Sequence, residues 1–237
     1  MKLRRAPLTP YPAAPVRLFA PAAVLAALLL AVLTALAPPA AGAQDQAVRG
    51  GDTLYSSTGA ACPVAFNASR GADRYAVMQA PCVKDAGPVW YADPGRTIEI
   101  GRSDAGFPGG DSAVIRYTNP DYTYPSELSS GFGQPIPITH AAQPTVGAQV
   151  CAVSPSAGLH CGVVVAVNIS ISYPDGTVYH VFQTNVCAEP GGGGVSAYSG
   201  RAALGVLVSG NGNCTTGGTT FYQPVVEVLQ EYGLSIP

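Results

Sequence analysis

The strongest periodic signal in the chain lies between residues 163 and 184. Val163, Val165, Val167, Ile169, Ile171 and Tyr173 alternate with Val164, Ala166, Asn168, Ser170 and Ser172. A period of two with one largely apolar face marks a β-strand. Pro174-Asp175-Gly176 supplies turn chemistry before Val178-Tyr179-His180-Val181-Phe182, so Val163–Tyr173 and Thr177–Thr184 read as the arms of a hairpin. Further strands are predicted over Tyr75–Gln79, Thr97–Ile100, Ser112–Tyr117 and Ala203–Ser209. Only one stretch has helical spacing: Val225, Val226, Val228, Leu229 and Tyr232 follow Pro224, and Gly233 supplies a stop. The segment Thr118–Gln143, rich in Pro, Ser and Gly, is read as the connection between two β halves.

Composition separates the first 43 residues from the rest. Lys2, Arg4, Arg5 and Arg17 precede an uncharged Leu/Ala-rich run, Ala22–Ala37, and Ala41-Gly42-Ala43 supplies small residues before Gln44. That is the pattern of a secretory signal peptide, so residues 1–43 are expected to be removed and the rest to be extracellular. All 14 acidic residues but only 8 of the 12 basic ones follow it, which makes nucleic acid and anionic membranes poor partners for the exported part. About 190 residues remain, enough for one large β domain or two small barrels. Charged residues are 11% of the chain against about 25% on average, and Gly (28) and Pro (22) are high, as many short strands with tight turns require. All six cysteines, Cys62, Cys82, Cys151, Cys161, Cys187 and Cys214, lie in the exported part and are read as three disulfides, with 15 connectivities open. Their spacings imply no metal site, and the absence of phosphate-loop and nucleotide motifs implies no cofactor.

Longer motifs carry a resemblance. Thr184-Asn185-Val186-Cys187-Ala188-Glu189-Pro190-Gly191, then Gly205, Ser209-Gly210-Asn211-Gly212-Asn213-Cys214 and Gly217-Gly218-Thr219-Thr220-Phe221-Tyr222-Gln223-Pro224, resemble the C-terminal half of the streptogrisin-type bacterial serine endopeptidases. Gly50-Gly51-Asp52, Leu54-Tyr55-Ser56-Ser57-Thr58-Gly59 and Val114-Ile115-Arg116-Tyr117-Thr118-Asn119 are similar to the same family, so the resemblance spans nearly the whole exported chain. It implies an all-β trypsin-like fold: two six-stranded antiparallel barrels, over 44–138 and 139–237, a cleft between them and a C-terminal helix. It also implies sequential pairing, Cys62 with Cys82, Cys151 with Cys161 and Cys187 with Cys214. The family start follows the signal peptide almost directly, leaving no room for the folding pro-domain of many relatives.

A protease of this kind needs a serine nucleophile, a histidine base and an aspartate that orients the histidine. Against the family motif GDSGG after Glu-Pro, this chain has Gly191-Gly192-Gly193-Gly194-Val195, placing Gly193 at the serine position. Against TAGHC it has Met78-Gln79-Ala80-Pro81-Cys82, placing Pro81 at the histidine position. Asp111, in Gly109-Gly110-Asp111-Ser112, is the remaining match. The family serine that supports the aspartate is Val208 here, and the ion pair beside the nucleophile reads as Gly192 and Ala152. Buried behind Pro81 and Val208, Asp111 is expected to be solvated, to find new donors or to take a raised pKa. Gly191 and Gly193 remain as backbone donors of an oxyanion hole, poorly ordered in a four-glycine run. Ser196 and Ser199 lie past the turn that exposes the family serine, and His140, His160 and His180 are read as ordinary strand or loop residues. Trp90 is read as core.

Three functions are compatible with these residues. Val208-Ser209-Gly210 match the family's substrate strand and, as an exposed edge, would accept an extended peptide by strand addition. The same cleft would serve a decoy that holds a protease inhibitor or a substrate of active relatives. The third is an active serine endopeptidase, which requires Pro81 and Gly193 to be bypassed. A secreted monomer without catalysis is the expectation.

Overall fold

Short strands separated by Gly- and Pro-containing turns account for most of the chain, as its composition requires. The computed structural model describes residues 46–106, 110–131, 133–154, 158–174, 176–189 and 195–237, so the signal peptide expected over 1–43 lies outside the described residues.

The first sheet contains β1 (Thr53–Ser56), β2 (Ala61–Pro63), β3 (Phe66–Arg70), β4 (Asp73–Gln79), β5 (Val89–Tyr91), β6 (Glu99–Gly106) and β7 (Ser112–Tyr117). Its order is β2-β1-β5-β6-β7-β4-β3. The expected count was six, and the seventh has a simple origin. Strands β2 and β3 occupy opposite edges, yet only Val64 and Ala65 separate them in the chain. Both linking residues stay bonded, Val64 N to Asp52 O (2.9 Å) and Ala65 N to Val77 O (2.8 Å). One bent strand therefore joins the two edges and rolls the sheet into a barrel.

The second sheet contains β11 (Gln149–Ser154), β12 (Gly158–Tyr173), β13 (Gly176–Thr184), β14 (Ser196–Ser199), β15 (Ala202–Asn213) and β16 (Gly217–Pro224). These six antiparallel strands close on themselves because β15 pairs with both β14 and β16. A seventh, β10 (His140–Ala141), joins β15 in parallel, which departs from the expected all-antiparallel pattern. The connection Thr118–Gln143 also contains a small hairpin, β8 (Glu127–Leu128) with β9 (Ile136–Pro137). Two helices are described. The helix read from the sequence is Val225–Glu231 (α2), with Gly233 at φ 60 just beyond it; a short one, Ala80–Lys84 (α1), was not foreseen, because five residues carry no helical period.

Each barrel has its own core: Leu54, Met78, Trp90, Ile100 and Ile115 in the first, Val150, Val164, Phe182 and Tyr222 in the second. A third cluster lies where they meet, combining Phe66, Tyr75, Val77 and Val114 with Val153, Val195 and Val206, and with Val225, Val228 and Leu229 of α2. Each large apolar side chain buried there contributes about 1.5–3 kcal/mol. Polar bonds cross the same boundary. The Ser196 hydroxyl donates to Ala65 O at 2.6 Å, and beyond α2 Ser235 exchanges two backbone bonds with Ser69 of β3. Trp90 is fully buried, its Nε1 donating to Ser103 Oγ at 2.9 Å.

The alternating stretch is a strand, but the first half of its apolar face is turned outward, while Ile169 and Ile171 beyond a register shift are half-buried. Val163, Val165 and Val167 are 39%, 46% and 37% exposed, whereas Val164 is 1% exposed. The pairing of Cys151 with Cys161 and of Val150 with Gly162 fixes the register, and a period of two cannot say which of its faces is inside. Gly162 takes an inward position because a Cβ there would lie 2.2 Å from Asn185 Oδ1. The three disulfides form as the resemblance implied: Cys62–Cys82, Cys151–Cys161 and Cys187–Cys214.

Two outcomes test this packing. Ser196→Ala leaves the buried Ala65 carbonyl without its donor and should lower stability by about 1–3 kcal/mol, read as a lower denaturation midpoint at unchanged m-value. In Gly205→Ala the new methyl would lie 2.5 Å from Phe182 Cε1 and 2.8 Å from Gln223 O. That overpacking should cost about 1–3 kcal/mol or more, and thermal melts compare it with Gly200→Ala, where a Cβ meets nothing within 4 Å but φ is 57.

Candidate functional site

The cleft between the barrels is built from chain segments far apart in sequence. Pro81 begins the first turn of α1, where its missing N–H costs nothing. Ala80 N donates to Asp111 O at 3.0 Å, which ties the start of α1 to the entry of β7. Opposite them lie Val208 and Ser209 of β15 and the tip of the β12–β13 hairpin. Ala80, Pro81, Lys84, Asp85, Gly110, Asp111, Val208 and Ser209, with Tyr173, Gly176, Thr177 and Val178 from the hairpin, enclose a cavity of about 570 Å³. Pro81, Asp111 and Val208 thus line one cavity. Asp111 is half-buried rather than enclosed, and other groups of the protein engage it.

A second cavity of about 530 Å³ lies along the same strand, lined by Ala61, Pro63, Gln79, Cys82, Ala188, Glu189, Leu207, Gly210, Asn211 and Gly212. Gln79 Nε2 donates to Leu207 O at 2.7 Å across the cleft. Glu189 Oε1 accepts from Cys214 N at 2.9 Å, and the Cys187–Cys214 bridge holds the same two segments together. The oxyanion-hole candidates Gly191 and Gly193, together with Gly192, lie outside the described residues.

Between the cavities runs the candidate substrate strand. On one side β15 pairs with β16 through Ser209–Phe221 and Gly210–Thr220. On the other, β14 pairs only as far as Ser196–Val206, after which Leu207 N still reaches Val195 O at 2.9 Å. Among the described residues no strand covers Val208-Ser209-Gly210 on that side, and a register shift between Leu207 and Ser209 bulges the chain at Val208. The segment is an open sheet edge.

None of the three histidines lines either cavity. His140 meets Thr139 Oγ1 through Nδ1 at 3.1 Å. His160 lies with the Cys187 and Cys214 sulfurs inside 4.8 Å, but both sulfurs are in a disulfide and offer no thiolate to a metal. His180 Nδ1 is 3.8 Å from Glu227 Oε1 on the outer face of the second barrel; burial pushes the Glu227 carboxyl up, opposed by the charge of His180. Ser196 is buried and its hydroxyl is spent on Ala65 O, while Ala152 is buried opposite Ala197. Sequence reasoning missed Gln79, Lys84, Asp85 and Tyr173 as cleft residues. No local motif marks them, since only the packing of the two barrels brings them to one place.

No family model matches the chain. Streptogrisin-C of Streptomyces griseus is 38% identical over 192 residues, which is 80% of this chain and 41% of the relative. Streptogrisin-D of the same organism is 35% identical, and the match covers 50% of it, so the chain spans about half the length of these two relatives. Serine protease 2 of Streptomyces fradiae is 37% identical and matched over 100% of its length, with 73% of this chain. Among solved structures, an alpha-lytic protease homologue, N4, is 45% identical with a TM-score of 0.73, covering 81% of this chain and 100% of its own. With its two barrels, its sequential disulfides and these full-length matches, the chain belongs to the family of the streptogrisins and related chymotrypsin-like serine proteases.

Proposed function

We propose that this chain is an exported family member that binds an extended peptide without cleaving it. The observation that carries this reading is the open edge Val208-Ser209-Gly210, set between two cavities that can receive alternate side chains of an added strand. Proline at position 81 and glycine at position 193 supply neither base nor nucleophile. Removing either group from a serine protease costs about a million-fold in turnover, and the losses do not add because the triad works as a unit. The leader at 1–43 supports export, and no helix among the described residues is long and apolar enough to cross a membrane. An acidic exported domain suits a peptide or a protease inhibitor as partner better than nucleic acid, and the domain acts as a monomer.

The second reading, an active endopeptidase, is favoured by the names of relatives such as serine protease 2 and the alpha-lytic protease homologue. Incubating the signal-free protein with a fluorophosphonate probe and casein separates the two. No labelling and no cleavage is the expected result, and labelling of the wild-type protein would overturn the non-catalytic reading. The double variant Pro81→His with Gly193→Ser, treated alongside, is expected to label weakly because Asp111 and the cleft are retained. The binding reading has its own test. Gln79→Ala frees the Leu207 carbonyl and loosens the strand, so a labelled extended peptide should bind several-fold more weakly in anisotropy titrations at little cost to the melting temperature.

A further inference from the structure

We infer that the cavity beside Asp111 takes a cationic side chain of the bound peptide, an inference that rests on the strand-addition reading above. At position 81, where the resemblance places a histidine, there is an exposed proline on the turn of α1. The space that a ring would fill between it and Asp111 belongs to the cavity of about 570 Å³, a volume in the ordinary range for a ligand pocket. Its walls are mixed: Ala80, Pro81, Val178 and Val208 are apolar, Thr177 and Ser209 bring hydroxyls, and Tyr173 comes from the hairpin tip. Among the described residues its ionisable lining is half-buried Asp111 with exposed Asp85, Lys84 and Tyr173, two carboxylates against one ammonium.

A half-buried carboxylate with apolar neighbours favours a positive partner by charge, and an aromatic face adds to the attraction. Asp111 already has partners within the protein, but a carboxylate has about four acceptor sites and can receive a guanidinium or ammonium N–H in addition. A strand laid along Val208-Ser209 alternates its side chains, so one of them points toward the first barrel and into this cavity. The recognised class is therefore an extended peptide with arginine or lysine at that place. A neutral chain of the same length fills the volume but leaves the carboxylate without a counter-charge.

Fluorescein-labelled pentapeptides Ala-Ala-Xaa-Ala-Ala, with arginine, lysine, citrulline or leucine at the centre, are titrated against the signal-free protein by anisotropy. Arginine and lysine should bind on the order of ten-fold more tightly than citrulline and leucine. In Asp111→Asn that advantage should vanish while the neutral peptides keep their affinity. In Lys84→Glu, a change at an exposed position, it should grow. Equal affinities for arginine and citrulline in the wild-type protein would overturn the inference and leave peptide binding standing. If no peptide binds, the strand-addition reading falls, and methylguanidinium followed by amide chemical shifts decides the cavity. Shifts at Asp111, Thr177 and Val208 that disappear in Asp111→Asn would preserve the cation site, and their absence would overturn it.

Discussion

Phe66, Tyr75, Val77 and Val114 of the first barrel bury themselves against Val153, Val195 and Val206 of the second, and α2 seals the same cluster with Val225, Val228 and Leu229. This shared cluster holds the two sheets against each other. Ser196 to Ala65 and Gln79 to Leu207 are polar ties across the same boundary, and Gln79 and Leu207 both line a cavity of the cleft. The paired backbones of Ser69 and Ser235 add a clamp at the far end. A change in this packing would displace β15 relative to α1 and Asp111, which the bond from Ala80 N to Asp111 O ties to each other.

The same constraint gives the edge of β15 its character. Short β14 stops at Ser196–Val206, whereas β15 continues to Asn213 on its pairing with β16. The half-paired strand that results is the kind of edge that invites edge-to-edge association, and here its residues line two cavities. Pro81 and Asp111 line the cavity beside this edge, and the proposed reading places the held peptide there.

Particular residues show how far the sequence could be read. The Cys, Gly and Pro motifs around Cys187–Cys214 were sufficient for the family and the disulfides, because those features depend on alignment rather than on contacts. Ser112–Tyr117 and the helix after Pro224 were legible because their burial patterns are local. The strand at Glu99–Gly106 was read short and displaced, since Arg102, Ser103 and Asp104 break the apolar alternation. The cleft residue Gln79 had no signal at all; its role is a reach of one amide across to Leu207.

The sequence by itself determined the β class, the two-barrel fold through its family motifs, and the residue types at the three triad positions. These are properties of short-range pattern and of identity at a position. Only the tertiary structure decided that Val163, Val165 and Val167 face outward, that β2 and β3 are two halves of a closing strand, and that Asp111 borders an open cavity instead of being enclosed. Each of these depends on register and on which surfaces meet, and register is set by partners far away along the chain.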